Sequence, residues 1–292
     1  MKVKVEEQVP LTSLNTWRVG GTALFMMTPQ NINEVIEAKA FSDRNNCPYF
    51  ILGRGSNVLF NDEDYLGVIV NLSRALTNYE INYEEGYIYA EAGAPLPKLS
   101  IDLSRENIDG FDFFAGIPGT IGGAIAMNAG CIGSEMKDVL LSVIYIDENN
   151  SIVEDKVDEL GMHFRKSDFQ INNKRIIIGC RLKLTYGLNK KETFTKAKKA
   201  IGIRKEKFPL QVATAGSTFK SPPGGPYPGQ LVEQVGLKGI QIGQAKISDE
   251  HGNWIINKGG ASSKDINELM QLMYDEVKQK LGVAMEPEVI IL

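Results

Sequence analysis

A glycine-rich stretch, GIPGTIGGA at Gly116–Ala124, leads into MNAG at Met127–Gly130. Its glycines leave the backbone almost without side-chain cover. A diphosphate needs such a surface, because many N–H groups must approach it without steric hindrance. A glycine-rich hairpin, or close packing between two elements, would also explain the composition. This stretch alone therefore leaves a phosphate-binding loop and a packing role both open.

A second glycine loop, GRGSN at Gly53–Asn57, lies earlier in the chain after the apolar run Tyr49–Leu52. Its glycines let the backbone approach a ligand, and consecutive N–H groups can form an anion-binding nest. The dinucleotide fingerprint G-x-G-x-x-G is incomplete, because Val58 stands at its third glycine. A tight turn explains this loop equally well. Two such loops in one half of the chain nevertheless favour a single large dinucleotide held by both.

Composition narrows the class of protein. The chain has 292 residues, a formal net charge of −4, 43% hydrophobic and 23% charged residues. That balance is ordinary for a globular protein and lacks the positive field that attracts nucleic acid or a membrane surface. Cys47, Cys131 and Cys180 show no C-x-x-C spacing, which predicts neither disulfides nor a metal site. The start, MKVKVEEQVP, lacks the apolar core of a signal peptide, so we expect a cytoplasmic protein.

The hydrophobic pattern predicts an α+β chain with a break near residue 190, where a lysine-rich helix leads into a new domain. Asn31 is expected to cap the first helix, and Ser263 and Gly282 are expected to bound the last one. The predicted helices are 31–46, 96–107, 189–207 and 263–281, and the predicted strands are 67–72, 87–92, 140–146, 175–184, a strand around Thr218, 254–257 and 288–292.

Three further segments carry side chains suited to acid–base or anion chemistry. In Thr214–Lys220, Ser217 and Lys220 offer a hydroxyl and an ammonium group. Arg165 offers a planar fork that can hold a carboxylate in a bidentate manner. Glu288 lies close to the end of the chain. Each has a plainer interpretation by itself, namely a structural serine, a solvated basic turn and an exposed terminal charge.

Taken together, these stretches resemble the UDP-N-acetylenolpyruvoylglucosamine reductase family. The matching segments follow one another along nearly the whole chain: Asn15–Gly21 (NTWRVGG), Leu52–Leu59, Ala115–Gly130, Thr214–Lys220, Gly236–Gly239 (GLKG), His251–Asn257 (HGNWIIN) and Glu286–Val289 (EPEV). The chain lacks the insertion that one branch of the family carries after Thr185-Tyr186-Gly187, so it is similar to the short-loop branch.

This resemblance implies an FAD-binding fold of the vanillyl-alcohol-oxidase type in two subdomains, plus a C-terminal α+β substrate domain. The implied divisions are 1–70 joined by the C-terminal strand 283–292, then 71–189, then 190–282. The implied cofactor is FAD, bound noncovalently, with NADPH as the hydride donor. The implied reaction reduces UDP-N-acetylglucosamine enolpyruvate to UDP-N-acetylmuramate in peptidoglycan precursor synthesis.

The resemblance also implies roles for individual residues. Arg165 and Glu288 would flank the substrate carboxylate, and Ser217 would supply a proton to the α-carbon. The sugar nucleotide would contact Arg165, Asn128 and Lys220. The implied flavin contacts are Gly53, Arg54, Gly55, Ser56, Asn57, Gly116, Pro118, Gly119, Thr120, Gly122 and Gly123.

Three positions depart from the family pattern, namely Phe164 (commonly Tyr), Ser221 (often Asn or Arg) and Ile290 (commonly Arg). Because the three implied catalytic residues are present, we expect an active enzyme. Two alternatives remain open: a flavin oxidoreductase of the same fold with another substrate, and a non-catalytic flavin-binding paralogue. Bleaching of the flavin by NADPH without oxygen would separate a reductase from a binding module.

Overall fold

A computed structural model describes residues 3–171, 174–207, 212–222 and 224–292. Its strands are β1 (Val5–Pro10), β2 (Thr22–Met27), β3 (Tyr49–Leu52), β4 (Val58–Leu59), β5 (Tyr65–Asn71), β6 (Tyr79–Asn82), β7 (Tyr87–Glu91), β8 (Gly130–Cys131), β9 (Ser134–Glu135), β10 (Leu140–Ile146), β11 (Ile152–Lys156), β12 (Ile176–Lys183), β13 (Gln241–Ile242), β14 (Ala245–Ile247), β15 (Ile255–Asn257) and β16 (Ile290–Ile291). Its α-helices are α1 (Ile32–Arg44), α2 (Leu96–Arg105), α3 (Ile121–Met127), α4 (Met136–Val139), α5 (Asp168–Ile171), α6 (Lys190–Lys207), α7 (Pro228–Gln234) and α8 (Ser263–Leu281). Short 3₁₀ turns lie at Leu11–Ser13, Asp112–Gly116 and Val157–Glu159.

The chain divides into two units. The first comprises Met1–Glu6, Phe25–Arg54 and Gly67–Glu206, and the second comprises Glu7–Leu24, Gly55–Leu66 and Lys207–Leu292. The predicted break near residue 190 is therefore placed too early, because α6 belongs to the first unit. Its Thr193 donates a hydrogen bond to Asn107 Oδ1 at 3.0 Å, and its Lys196 binds Asp109 at 2.5 Å.

The second unit also includes two segments that the sequence assigns to an N-terminal subdomain of residues 1–70. One of them is anchored by Trp17, whose indole N–H donates to the Ile255 carbonyl at 2.8 Å. Asn257 returns a bond from its side-chain amide to the Trp17 carbonyl at 2.8 Å. These two bonds explain why residues 7–24 group with the C-terminal part. The finer division at residues 70 and 71 stays a prediction.

One antiparallel sheet, in the first unit, has the strand order β11-β10-β12-β7-β6. A four-stranded sheet has the order β1-β2-β5-β3, and its strands β3 and β5 are parallel. The apolar residues of α2 that recur at helical spacing, Leu96, Leu99 and Leu103, are buried as the pattern indicates. The predicted cap of α1 is confirmed, since the Asn31 side chain accepts the Glu34 N–H at 3.1 Å.

In the second unit, β13, β14 and β15 form a small antiparallel sheet, and α8 packs against it. The cap of α8 is Ser262, not the predicted Ser263, because Ser262 Oγ accepts the Asp265 N–H and Asp265 binds the Ser262 N–H in return. Gly282 ends the helix in the left-handed conformation, as predicted. The predicted strand around Thr218 is reduced to single bridges, Ser217 to Trp254 and Phe219 to Pro287.

Candidate functional site

The glycine-rich stretch is a turn that opens a helix, so a hairpin is excluded. Thr120 caps α3, and its hydroxyl accepts the Gly123 N–H at 3.4 Å. The first turn of α3 is tied to the chain before α2, since the Ile121 N–H donates to the Ala94 carbonyl at 3.0 Å and the Gly122 N–H to the Ala92 carbonyl at 2.7 Å. These bonds hold the stretch in one position within the first unit.

The glycines of this stretch serve different purposes. A Cβ atom on Gly122 would lie 3.1 Å from Ala92 Cβ and 3.2 Å from the Ala92 carbonyl oxygen, so close packing requires this glycine. On Gly119, the same atom would meet only two apolar side chains at ordinary contact distance, the nearer at 3.5 Å. On Gly123, it would meet only Thr120 Oγ1, at 3.6 Å. The fold therefore does not require glycine at 119 or 123, and a ligand close to the backbone would.

The loop GRGSN begins against the cap of α3. A Cβ atom on Gly53 would lie 2.7 Å from Thr120 Oγ1, so the two glycine-rich loops meet at this point. Among the residues that the structure describes, the backbone N–H groups of Gly53, Arg54, Gly55 and Ser56 donate to no protein acceptor. Gly55 has a φ of +63°, and a left-handed residue within a row of N–H groups is how an anion nest forms. These donors and the uncovered backbone at Gly119 fit the diphosphate of a dinucleotide cofactor.

Arg165 lies at the tip of a two-residue hairpin in the first unit. The hairpin is closed by His163 and Lys166, whose N–H groups donate to each other's carbonyls at 2.9 and 3.1 Å. Arg165 has a φ of +53°, a strained conformation for a residue with a side chain. Its Nη2 donates to the Gly130 carbonyl at 2.8 Å, and its guanidinium carbon lies 5.0 Å from the centre of the Phe164 ring. Phe164 therefore offers a cation–π contact although it lacks the tyrosine hydroxyl.

Asn128 does not occupy the position predicted for it. Its side chain is fully buried, and its amide nitrogen donates to Glu135 Oε2 at 2.7 Å and to the His163 carbonyl at 2.8 Å. Its amide oxygen accepts the Lys137 N–H at 3.0 Å. The predicted direct contact between Asn128 and the substrate is inconsistent with this burial, since the amide is inaccessible and already bonded at both ends.

Ser217 and Glu288 lie on adjacent segments of the second unit. The Glu288 N–H donates to the Thr218 carbonyl at 2.9 Å. The segment of Ser217 is also held by Asn253, whose side-chain oxygen accepts the Phe219 N–H at 3.0 Å and whose nitrogen donates to the Phe219 carbonyl at 2.8 Å. The structure thus brings the backbones of these two predicted catalytic residues together.

Asn57 is predicted to contact the flavin and Lys220 the substrate, and both side chains bond to the C-terminal segment. The Asn57 amide donates to the Glu288 carbonyl at 2.9 Å. Strand β16 pairs in parallel with β4, immediately after the GRGSN loop. Lys220 Nζ forms an ion pair with Glu286 at 2.5 Å. Each of these residues therefore has a structural contact near Glu288.

Arg204 is a residue near the glycine-rich stretch that the sequence does not single out. It belongs to α6, and its guanidinium donates to the carbonyl of Gly116. Burial lowers the pKa of Arg204, and the nearby Cys131 thiol opposes that shift. The lysine-rich composition of the helix hides this arginine, because nothing in the sequence distinguishes a buried cation there from a solvated one.

Within the described ranges, the structure shows no helix long and apolar enough to cross a membrane. It also shows, over the same residues, no cluster of three or more His, Cys, Asp or Glu side chains able to hold a metal ion.

The fold and two family matches define a flavin-binding protein of the α+β class. Residues 23–156 match the family described as FAD binding domain. Residues 208–292 match the family described as UDP-N-acetylenolpyruvoylglucosamine reductase, C-terminal domain. The predicted fold class and the predicted FAD cofactor are thereby confirmed.

Proteins of this family are similar to the chain over nearly its whole length. The UDP-N-acetylenolpyruvoylglucosamine reductase of Caldanaerobacter subterraneus subsp. tengcongensis is 40% identical over 96% of this chain and 91% of its own length. That of Clostridioides difficile is 37% identical over 99% and 93%. The crystal structure of the enzyme from Thermus caldophilus has a TM-score of 0.83 and 32% identity, and covers 99% of both chains. The chain belongs to the UDP-N-acetylenolpyruvoylglucosamine reductase family and is an FAD-dependent oxidoreductase.

Proposed function

We propose that Arg165, Ser217 and Glu288 carry out the family reaction, the reduction of UDP-N-acetylenolpyruvoylglucosamine to UDP-N-acetylmuramate with NADPH. The setting would be peptidoglycan precursor synthesis in the cytoplasm. The observation that carries the proposal is the row of N–H groups from Gly53 to Ser56, which have no acceptor among the described residues and begin against Thr120. This feature fits an enzyme that holds a dinucleotide, and the family membership supplies the substrate.

The residues proposed to hold FAD lie in the two glycine-rich loops. In one loop they are Gly53, Arg54, Gly55 and Ser56, whose N–H groups have no acceptor among the described residues. In the other they are Pro118, Gly119, Thr120 and Gly123, where a Cβ atom on either glycine would meet only ordinary contacts, whereas Gly116 and Gly122 support the loop by packing. Bound FAD would supply hydride transfer from NADPH to the enolpyruvyl group. Backbone donors suit the diphosphate because they are fixed before it binds and carry no side-chain entropy.

Arg165 is proposed to bind the substrate carboxylate and to stabilise the negative charge that develops beside it. A guanidinium group offers several donors in a fixed plane, which matches a carboxylate or an enolate. The hairpin and the bond to the Gly130 carbonyl hold this group in place before the substrate arrives. Preorganised donors of this kind contribute most when they need no rearrangement during the reaction.

Ser217 is proposed to deliver the proton to the α-carbon, with Glu288 on the adjacent segment contributing to charge stabilisation. The Phe219 backbone, two residues after Ser217, is held at both its N–H and its carbonyl by Asn253, which limits movement of the backbone of this segment. A serine is a weak acid, but a carbanion-like α-carbon is a strong enough base to take its proton. Lys220, on the same segment as Ser217, is proposed to bind the sugar nucleotide together with other residues of the second unit.

The experiment is a pair of anaerobic stopped-flow measurements on Ser217→Ala. Flavin bleaching by NADPH should proceed close to the parent rate, because hydride transfer from the nicotinamide needs no proton from Ser217. Reoxidation by the enolpyruvyl sugar nucleotide should slow by about 10²–10⁴, the usual range for general acid catalysis. Ser13→Ala, an exposed hydroxyl in the same unit, is the matched control. Equal slowing of both half-reactions would remove the proton-donor role.

A further inference from the structure

Three bonds attach the hairpin that carries Arg165 to the end of α3. The amide of Asn128 donates to the His163 carbonyl at 2.8 Å. The hydroxyl of Ser167, fully buried, donates to the Ala126 carbonyl at 2.7 Å. Arg165 itself donates to the Gly130 carbonyl at 2.8 Å. All three partners lie between Ala126, in the last turn of α3, and Gly130, so the end of the helix and the residues just after it set the position of the hairpin.

Of these three bonds, the one from Asn128 comes from a residue whose backbone conformation and buried side chain are both unusual. Asn128 ends α3 with a φ of 41° and a ψ of 54°, and asparagine tolerates this left-handed conformation better than other residues with side chains. Its fully buried amide also binds Glu135 and the Lys137 N–H. Burying an amide is favourable only when its polar atoms find partners. The hairpin carbonyl is one of those partners, so the cap and the hairpin are coupled.

Helix α3 also begins at the glycine loops. Its cap, Thr120, lies beside Gly53, and its last turn leads into Asn128. The helix is only two turns long and is bonded to Ala92 and Ala94 at its start. The proposed diphosphate loop and the Arg165 hairpin are therefore attached to opposite ends of one short, well-anchored element.

We propose that Asn128 is a positioning residue for Arg165, which it orients by holding the His163 carbonyl from the end of α3. This inference rests on the proposed function, in which Arg165 binds the substrate carboxylate. Asn128 touches neither cofactor nor substrate, and its effect on the reaction passes through the hairpin. A neighbouring contact supports the same arrangement: a Cβ atom on Gly130 would lie 3.1 Å from Arg165 Nη1, so the space for the guanidinium is set by the same segment.

Two substitutions separate the backbone role of Asn128 from its side-chain bonds. Asn128→Gly keeps the left-handed conformation accessible and removes the amide. Asn128→Asp keeps the shape of the side chain and the acceptor for Lys137, but replaces the donor toward His163 and Glu135 with an acceptor. Both variants should retain stoichiometric FAD and a parent rate of bleaching by NADPH. Reoxidation by the enolpyruvyl sugar nucleotide should slow by about 10–10², since small misplacements of a binding group cost up to about 10² in rate.

The deciding measurement is a double-mutant cycle with Arg165→Ala. If Asn128 acts through Arg165, the double variant Asn128→Gly/Arg165→Ala should be no slower in reoxidation than Arg165→Ala alone. Losses that multiply in the double variant would overturn the inference, and so would parent rates in both Asn128 variants.

A matched control distinguishes positioning from general stability. Asn107 is also left-handed, with a φ of 61°, and its amide holds the Gly187 carbonyl at 2.9 Å. Asn107→Gly should lower the melting temperature without slowing reoxidation. If it slows reoxidation as much as Asn128→Gly does, the effect is one of stability and the inference falls. Parent rates in Arg165→Ala would instead remove the proposed role of Arg165, and this inference with it.

Discussion

Replacing Gly119 with alanine should have opposite effects on the stability of the apoprotein and on flavin binding. The added Cβ would lie 3.5 Å from Leu96 Cδ1 and 3.7 Å from Ile117 Cγ2, both ordinary contacts with apolar side chains. The backbone of Gly119 is not left-handed. A glycine that alanine can replace without strain gains about 0.4–1 kcal/mol, because the unfolded chain becomes less flexible. The free energy of unfolding of the apoprotein should therefore stay constant or rise slightly.

Flavin binding should weaken for the same structural reason. If the diphosphate approaches the uncovered backbone at Gly119, a methyl group there blocks at least one charge-assisted hydrogen bond. Such bonds contribute about 1.5–3 kcal/mol, and each 1.4 kcal/mol is a tenfold change in Kd. We expect Gly119→Ala to raise the Kd for FAD by about 10–100-fold. Gly119→Val carries two further methyl groups and should purify colourless.

The assay combines FAD titration of the apoprotein with thermal unfolding of the same samples. Gly122→Ala is the matched control, because its Cβ would lie 3.1 Å from Ala92 Cβ and 3.2 Å from the Ala92 carbonyl oxygen. Overpacking of this kind costs about 1–3 kcal/mol, so that variant should lose stability even without FAD. Stoichiometric FAD with parent affinity in both Gly119 variants would refute the placement of the diphosphate at this loop.

Two further predictions concern charge. Arg165→Ala and Glu288→Gln should each slow flavin reoxidation by the enolpyruvyl sugar nucleotide by about 10²–10³, the usual cost of losing a preorganised stabiliser; parent rates in stopped-flow traces of both variants would remove them from the chemistry. Burial alone would raise the pKa of Asp109, but its hydrogen bond and ion pair with Lys196 hold that pKa below the usual value. The ionised carboxylate therefore stabilises the fold above about pH 4. This stabilisation is lost as the pH falls through the lowered pKa. The difference in urea midpoint between the parent and Asp109→Asn should shrink over that acidic range, and a constant difference would contradict the assignment.

The elements that the sequence predicts best are those with a local cause. Strand β10 occupies the predicted residues, Leu140–Ile146, because an apolar run with β-branched and aromatic residues that ends at the polar Asp147–Asn150 favours a strand. The cap of α8 shows where a finer local signal was available. Ser262 has an acidic residue three positions later, Asp265, whereas Ser263 has Ile266 there. The capping-box spacing therefore distinguishes the two adjacent serines.

The unit boundary depends on contacts that are distant in sequence. Helix α6 has few large apolar residues, and its composition predicts a helix that leads into a new domain. It nevertheless joins the first unit through polar contacts, in which Thr193 binds Asn107 and Lys196 binds Asp109. The sequence does not reveal these pairings, since hydrogen bonds across 86 and 87 residues leave no periodic pattern.

Residue type alone also fails to separate a ligand contact from a structural one at the candidate site. Asn57, Asn128 and Asn253 all lie in the motifs that carry the family resemblance, and a side-chain amide suits a phosphate or a sugar hydroxyl as well as a backbone carbonyl. In the structure, each of the three holds the backbone of a segment bearing a proposed catalytic residue: Glu288, Arg165 and Ser217 respectively. The proposed catalytic groups come from short segments with little regular secondary structure, which lack the continuous hydrogen bonding of a helix or sheet. Side-chain amides provide part of that missing bonding, so a substitution of one of these asparagines should disturb catalysis through geometry and not through a lost ligand contact.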